Sequence, residues 1–220
     1  YDVAVNQDIS QSAFRYVPSW SYTLFKTHLN PWEENIKLIK RNNVKKVIVS
    51  YRDLRDVVVA RYNRLMKFPK KKYEPYYAEY HKMTKEDAIN HCIDVVGKNY
   101  PKWIYGWFKV SQSNIGFVHF CRFEDLISDP KSEFIKMINF YNIKLDDKKI
   151  DQIVKETEGK KDMVTNVNEA LILPWAHSSN FRLGKIGSWK DEFSLSNIEN
   201  FKKIAGSDLK NINYEKDLNW

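Results

Sequence analysis

Cysteine is nearly absent from this chain: Cys92 and Cys121 are the only two in 220 residues. Two thiols build no disulfide framework, and no spacing among Cys, His, Asp and Glu reads as a metal site. Reduced, packed thiols in a cytoplasmic compartment are the expectation. No run of about 18 apolar residues occurs, so no segment reads as a membrane-spanning helix. Glycine is scarce too, with seven in all, and none stands in a G-T-T or G-K-S/T context. These residues therefore hold no glycine-rich phosphate loop of that kind. Nor is there an internal repeat or a low-complexity tract.

What is present suits a globular, basic protein. A hydrophobic content of 43% and a length of 220 residues fit one domain with its own core. Lys and Arg outnumber Asp and Glu, 36 against 28, for a net charge of +8. That balance favours anionic partners: a nucleotide, sulfate, nucleic acid or an acidic membrane surface.

Periodicity gives an alternation of strands and helices. Ser21 to Thr27 alternates and is aromatic-rich, as a short strand would be. Pro31 followed by Glu33 and Glu34 opens a helix to Arg41. Val44 to Tyr51 reads as a buried parallel strand, and Asp53 caps a helix running to Met66. Lys67 to Tyr80 is basic, Pro-broken and tyrosine-rich, which predicts a long loop or lid. Thr84 starts a helix to Val96, and a second runs from Tyr100 to Ser111. Ile115 to Cys121 is the next strand. Pro130 after Asp129 starts a helix to Tyr141, and Asp146 another to Thr157. Residues 159–181 read as ordered loop, and Ser194 caps a helix to Ala205. The fold class is α/β: a parallel sheet covered by helices, with ligands expected at the carboxyl ends of its strands.

Four segments carry chemistry. Phe181-Arg182-Leu183-Gly184-Lys185-Ile186-Gly187-Ser188-Trp189-Lys190 packs three cations and two glycines into ten residues. Such a loop offers backbone amides and a guanidinium to an anion, although a basic surface loop would look the same. Lys26-Thr27-His28 ends a strand, with Lys26 and His28 on one face. Arg52 follows an apolar strand and precedes a helix, where a helix N-terminus and a guanidinium meet. Arg122-Phe123-Glu124-Asp125-Leu126 precedes Asp129-Pro130. Adjacent carboxylates on a strand face opposite ways, so Glu124 and Asp125 read as caps rather than an acid/base pair.

Together these segments resemble the cytosolic-type sulfotransferase family, which moves a sulfuryl group from 3′-phosphoadenosine 5′-phosphosulfate (PAPS) to an acceptor hydroxyl or amine. The glycine-bearing segment resembles its R-K-G-x-x-G-D-W-K. Phe25 to Leu29 resembles K-T-H-L-P, with Asn30 ahead of Pro31. Val47 to Val59 resembles V-Y-V-x-R-N-P-K-D-V-x-V, and Arg122 to Pro130 resembles R-Y-E-D-L-x-x-D-P. All four stand in the family's order. The resemblance implies the P-loop-kinase-like sulfotransferase fold, with residues 1–220 as a single domain. The family's phosphosulfate loop, P-K-S-G-T-T-W, does not occur in these residues. The expectation is a domain lacking its N-terminal strand-loop-helix.

The resemblance also implies roles. His28 is the general base, a task suited to a side chain that titrates near neutrality. Lys26 stabilises oxygens of the transferring group. Arg52 and Arg182 grip the donor's 3′-phosphate, with Gly184 allowing close backbone approach. Leu183 stands where the family has a lysine. Phe123 replaces a tyrosine that touches the donor, and Thr157 matches a threonine that meets adenine. Ala60 replaces a serine whose hydroxyl also contacts the phosphate. Trp189 reads as a core aromatic. Lys190, Ser194, Leu195 and Glu199 resemble the family's K-x-x-x-T-V-x-x-x-E homodimer strip, so a weak homodimer is expected. No metal and no nucleic acid are expected. Two other readings compete. Lys70-Lys71-Lys72-Tyr73 with Tyr76 and Tyr77 would suit a basic nucleic-acid-binding surface. The departures at Ala60, Phe123 and Leu183 would suit a sulfotransferase-like module that binds nucleotide without turnover.

Overall fold

A computed structural model describes residues 8–15, 25, 27–67, 79–157 and 185–220. Helix α1 (Glu33–Arg41) has Glu33 and Glu34 in its first turn and Lys40 and Arg41 in its last. Those charges complement the helix dipole at both ends. Strand β1 (Val47–Tyr51) leads into α2 (Leu54–Lys67), and the long helix α3 (Lys85–Ser113) follows. Strand β2 (Val118–Arg122) pairs parallel to β1, with Val47 opposite Val118 and Tyr51 opposite Arg122. Then come α4 (Phe123–Ser128), α5 (Pro130–Phe140), α6 (Asp147–Thr157), the short α7 (Trp189–Glu192) and α8 (Leu195–Asn211). A parallel pair needs a crossover, and α2 with α3 supplies it.

Two apolar clusters hold these elements. Leu54 and Val58 of α2, Ile89, Ile93 and Val96 of α3, and Phe201 and Leu209 of α8 form the larger. Leu29, Ile36, Ile39, Val49, Trp107 and Phe117 form the second, which seats residues 29–39 on β1 and α3. Several caps stand where the sequence places them. Thr84 accepts from the Asp87 amide at 3.1 Å, and Asp129 from the Ser132 amide at 3.0 Å. Asp146 accepts from the Lys149 amide at 2.8 Å.

The structure corrects four expectations. The two helices expected across 84–111 are one, and Pro101 lies buried inside it. An interior proline costs about 3 kcal/mol. Against that, Ile89, Ile93, Val96, Ile104 and Trp107 form one stripe on α3, none more than 2% exposed. Each such side chain contributes about 1.5–3 kcal/mol on burial, so the continuous face wins. Gly97 stands where α8 crosses: a Cβ there would lie 2.6 Å from Ile204 Cγ2. Strand β2 begins at Val118, because Asn114 to Phe117 form a turn closed by the Phe117 amide on the Asn114 carbonyl at 3.0 Å. Gly116 takes φ +76° in that turn. Glu124 and Asp125 lie in the first turn of a helix rather than on a strand. Finally, α8 runs six residues past Ala205 because Leu209 prolongs its buried face, and Asn213, at φ +60°, turns the chain afterwards. All of the expected strand at Ser21–Thr27 but Phe25 and Thr27, most of the 67–80 loop and residues 159–181 lie outside the described residues.

Candidate anion-binding site at the ends of the two parallel strands

Because β1 and β2 run parallel with Tyr51 opposite Arg122, Arg52 and Phe123 leave the sheet side by side. The Arg52 guanidinium carbon lies 4.7 Å from the centre of the Phe123 ring. Its Nη2 reaches Asp56 Oδ2 at 3.3 Å, and the side chain remains 24% exposed. Arg52 Nε is buried and makes no hydrogen bond among the described residues. The arginine is thus aimed by an aromatic ring on one side and a carboxylate on the other.

Asp56 is the joint of the site. It sits in the first turn of α2 and is 1% exposed. Besides Arg52, Asp56 accepts from the Gly187 amide at 2.8 Å, the Ser188 hydroxyl at 2.8 Å and the Trp189 amide at 3.1 Å. Gly187 has φ +73°, which glycine alone takes without strain. The carboxylate thereby fastens the turn before α7 to the start of α2. Arg182, Leu183 and Gly184 stand just upstream of that turn and lie outside the described residues, as does Lys26. Lys185 is exposed and ion-paired with Asp191.

Beneath this joint lies a charged, buried floor. Glu124 Oε1 accepts from the Asp53 amide at 3.0 Å, and Glu124 Oε2 from the Tyr214 hydroxyl at 2.5 Å. Burial, and then the Glu124 contact, pushes the Tyr214 phenol far above its ordinary range. Arg55 binds Asp53 through Nε and Nη2, the latter at 2.6 Å, and pairs with Glu215 at 2.6 Å. The Trp189 and Trp220 rings lie 4.1 and 4.4 Å from its guanidinium carbon. Arg55 is therefore a structural cation, and Trp189 is a core aromatic as expected.

His28 is carried by a different support. Leu29, beside it, is buried, and its carbonyl accepts from the indoles of Trp103 and Trp107 at 2.8 and 3.2 Å. Pro31 presses on α3 at Gly106, where a Cβ would lie 2.3 Å from Pro31 Cγ. Asn35 donates to the Asn30 carbonyl at 3.1 Å. Thr27 and His28 are exposed on this shelf. Thr157 is exposed in the last turn of α6 and donates to the Val154 carbonyl at 2.8 Å. Its helix packs on α5.

Among the sequence-predicted residues, the structure brings Arg52 and Phe123 together and joins them through Asp56 to the turn that follows Arg182–Gly184. Sequence reasoning missed Asp56, Tyr214, Glu215, Trp220 and the tryptophan pair on α3. Spacing gave a signal only for Trp103 and Trp107, four apart on one helix face. Among the described residues there is no cluster of three His, Cys, Asp or Glu side chains that could hold a metal, and no helix long and apolar enough to cross a membrane.

Comparison with known proteins agrees with this arrangement. The sulfotransferase domain model matches residues 3–213. Sulfotransferase 1C2 of Homo sapiens is 30% identical over 194 residues, covering 82% of this chain and 60% of the relative. Amine sulfotransferase of Oryctolagus cuniculus is 27% identical over 210 residues, covering 89% and 65%. The fold is similar to that of mouse sulfotransferase SULT7A1, solved in complex with PAP: the TM-score is 0.57 at 18% identity, over 85% of this chain and 65% of that one. The chain thus spans under two thirds of the length of these relatives, and it belongs to the sulfotransferase domain family.

Proposed function

We propose that this chain bears the acceptor base and the 3′-phosphate grip of a PAPS-dependent sulfotransferase. The observation that carries the reading is the joint at Asp56, which one carboxylate makes between Arg52 and the Gly187–Trp189 turn. Two of the four family-like segments, distant in sequence, converge there, and Phe123 of a third lies against Arg52. An arginine already oriented by a ring and a carboxylate loses little freedom on binding phosphate.

In the reaction so proposed, His28 takes the acceptor proton as the acceptor oxygen or nitrogen bonds to sulfur. The bond between sulfur and the phosphate oxygen breaks, and adenosine 3′,5′-bisphosphate (PAP) leaves. Lys26 supports charge on the transferring group. Arg52, Arg182 and the backbone at Gly184 hold the 3′-phosphate, while Leu183 leaves that grip without the family's lysine. Phe123 acts through its face and Thr157 through adenine contact. No metal takes part. The exposed Leu195, 80% accessible at the start of α8, supports a weak homodimer with Lys190, Ser194 and Glu199 around it. Ser194 and Asn197 already close a capping box there, so the helix start is rigid.

Calorimetry with PAP tests the reading. Arg52→Ala should weaken binding by two orders of magnitude or so, the loss of a charged hydrogen-bonding partner to phosphate. His28→Ala should leave PAP affinity intact and abolish transfer to an acceptor. Equal affinity for PAPS and for adenosine 5′-phosphosulfate, which lacks the 3′-phosphate, would refute the assignment of Arg52. Binding of PAP without any transfer would mean a nucleotide-binding module instead.

A further inference from the structure

We propose that Tyr214, Glu215 and Trp220 form a strap that positions Arg52 and the Gly187–Trp189 turn, a role that rests on the donor site proposed above. The strap begins where α8 ends. Asn213 takes φ +60° and the Tyr214 amide returns to the Leu209 carbonyl at 2.8 Å, so the chain reverses onto the molecule. Leu218 then packs on α8 at Gly206, where a Cβ would stand 3.0 Å from Leu218 Cδ2. Trp220 meets Phe201 and Trp189, with ring centres 6.0 and 5.4 Å apart.

Three contacts of the strap reach the two side chains that hold Asp53, the residue that follows Arg52. Asp53 is held by its amide on Glu124 and by its carboxylate on Arg55. Each holder has a second partner on the strap. Glu124 accepts the Tyr214 hydroxyl at its other oxygen. Arg55 pairs with Glu215 and lies under the Trp220 ring. Asp53 is thus fixed from its backbone and from its side chain by groups that the strap itself fixes. The Trp220 ring also touches Trp189, whose amide is one of the donors to Asp56. Arg52 and the Gly187–Trp189 turn therefore rest on one segment.

None of the three strap residues need touch the nucleotide. Arg55, the cation they hold, has a 4% exposed side chain and two carboxylate partners, so it is spent inside the protein. The strap acts through direction. A guanidinium whose neighbour can rock loses the fixed angle that selects a phosphate over water. The effect should fall on the 3′-phosphate, which Arg52 is proposed to hold, and spare the rest of the nucleotide.

The experiment compares affinity for PAP with affinity for adenosine 5′-phosphate by calorimetry, in Trp220→Ala, Glu215→Gln and Trp220→Phe. Wild type should prefer PAP. In Trp220→Ala and Glu215→Gln the PAP dissociation constant should rise about tenfold, while that for adenosine 5′-phosphate changes less than about twofold. Trp220→Phe keeps a ring over the guanidinium and should restore most of the preference. Should Trp220→Ala fail to fold, Glu215→Gln carries the test. A folded variant with unchanged preference, or one that loses both ligands equally, overturns the strap and leaves the donor site standing. Absence of any preference in wild type overturns the donor site and the strap with it.

Discussion

Replacing Asp56 by asparagine removes one carboxylate oxygen from a carboxylate that serves four donors. Oδ1 takes the Ser188 hydroxyl and the Trp189 amide, and Oδ2 takes the Gly187 amide and Arg52. An amide can keep one pair, but its NH2 then faces the other pair, donor to donor. With Asp56 1% exposed, no solvent is at hand to substitute. Losing one buried hydrogen bond and one charge contact, with their donors left unmet, should cost about 2–4 kcal/mol. Asp56→Ala abandons all four donors and one buried charge partner, and should cost about 3–5 kcal/mol. Either is a large share of an ordinary stability of roughly 5–15 kcal/mol. Urea unfolding measures the loss. Amide exchange gives its location: the Gly187 and Trp189 amides should speed up more in Asp56→Asn than the α3 amides, which speed up only by the loss of global stability. Arg52 also loses its aim, so PAP affinity should fall in parallel. A loss under about 0.5 kcal/mol, or unchanged exchange at Gly187 and Trp189, would refute the claim that Asp56 joins the two segments.

Gly106→Ala should destabilise by about 1–3 kcal/mol, because the added Cβ would lie 2.3 Å from Pro31 Cγ, less up to about 1 kcal/mol of helix propensity regained. Its signature is a fall in transfer rate greater than any fall in PAP affinity, since the shelf under His28 shifts; equal falls would count against that shelf. Tyr105 donates to Asp208 at 2.9 Å, and burial, then this bond, pushes its phenol up to about 12. Its stabilising effect is full below the ordinary phenol value near 10 and is lost as pH rises from there towards 12, so Tyr105→Phe should flatten the alkaline fall in stability measured by urea midpoints. Leu195→Glu should make the protein monomeric at tens of micromolar in sedimentation equilibrium, whereas a dimer indifferent to it would exclude the strip at Lys190, Ser194, Leu195 and Glu199.

Much of the fold was legible because its signals are local. Asp129 before Pro130, Thr84 before Asp87 and Ser194 at a helix start each cap within three or four residues, and the structure uses all three. The β-branched run before Arg52 becomes a strand for an equally local reason. Pro101 misled because its local cost is plain while the compensating stripe, from Ile89 to Trp107, gains its value only against distant partners: α2 and α8 for most of it, and residues 29–39 with β1 for Trp107. The site divides the same way. Arg52 could be found from its place after a strand. Asp56 could not, since three of its four partners lie more than 130 residues away in the chain. Tyr214, Glu215 and Trp220 carry no spacing at all, and only the reversal after α8 brings them to Asp53 and Arg55.

Arg52, the cation proposed to bind, and Arg55 show how the fold separates two arginines that sequence makes look alike. They stand three residues apart, both beside aspartates. Arg55 meets two carboxylates and two indole rings and is 4% exposed in its side chain. Its charge is neutralised within the protein, and desolvating it alone would be far too costly to leave a vacancy for a ligand. Arg52 meets one carboxylate at 3.3 Å, which three other donors share, and one ring face, and its side chain is 24% exposed. A carboxylate that three neutral donors also engage offsets the charge on Arg52 only in part. The positive charge left over at Arg52 lies at the carboxyl end of β1, ahead of α2. An incoming phosphate would complete that balance, and a neutral ligand would not. The division of labour follows from how many partners each guanidinium already has, which the fold decides and the spacing of the two arginines does not.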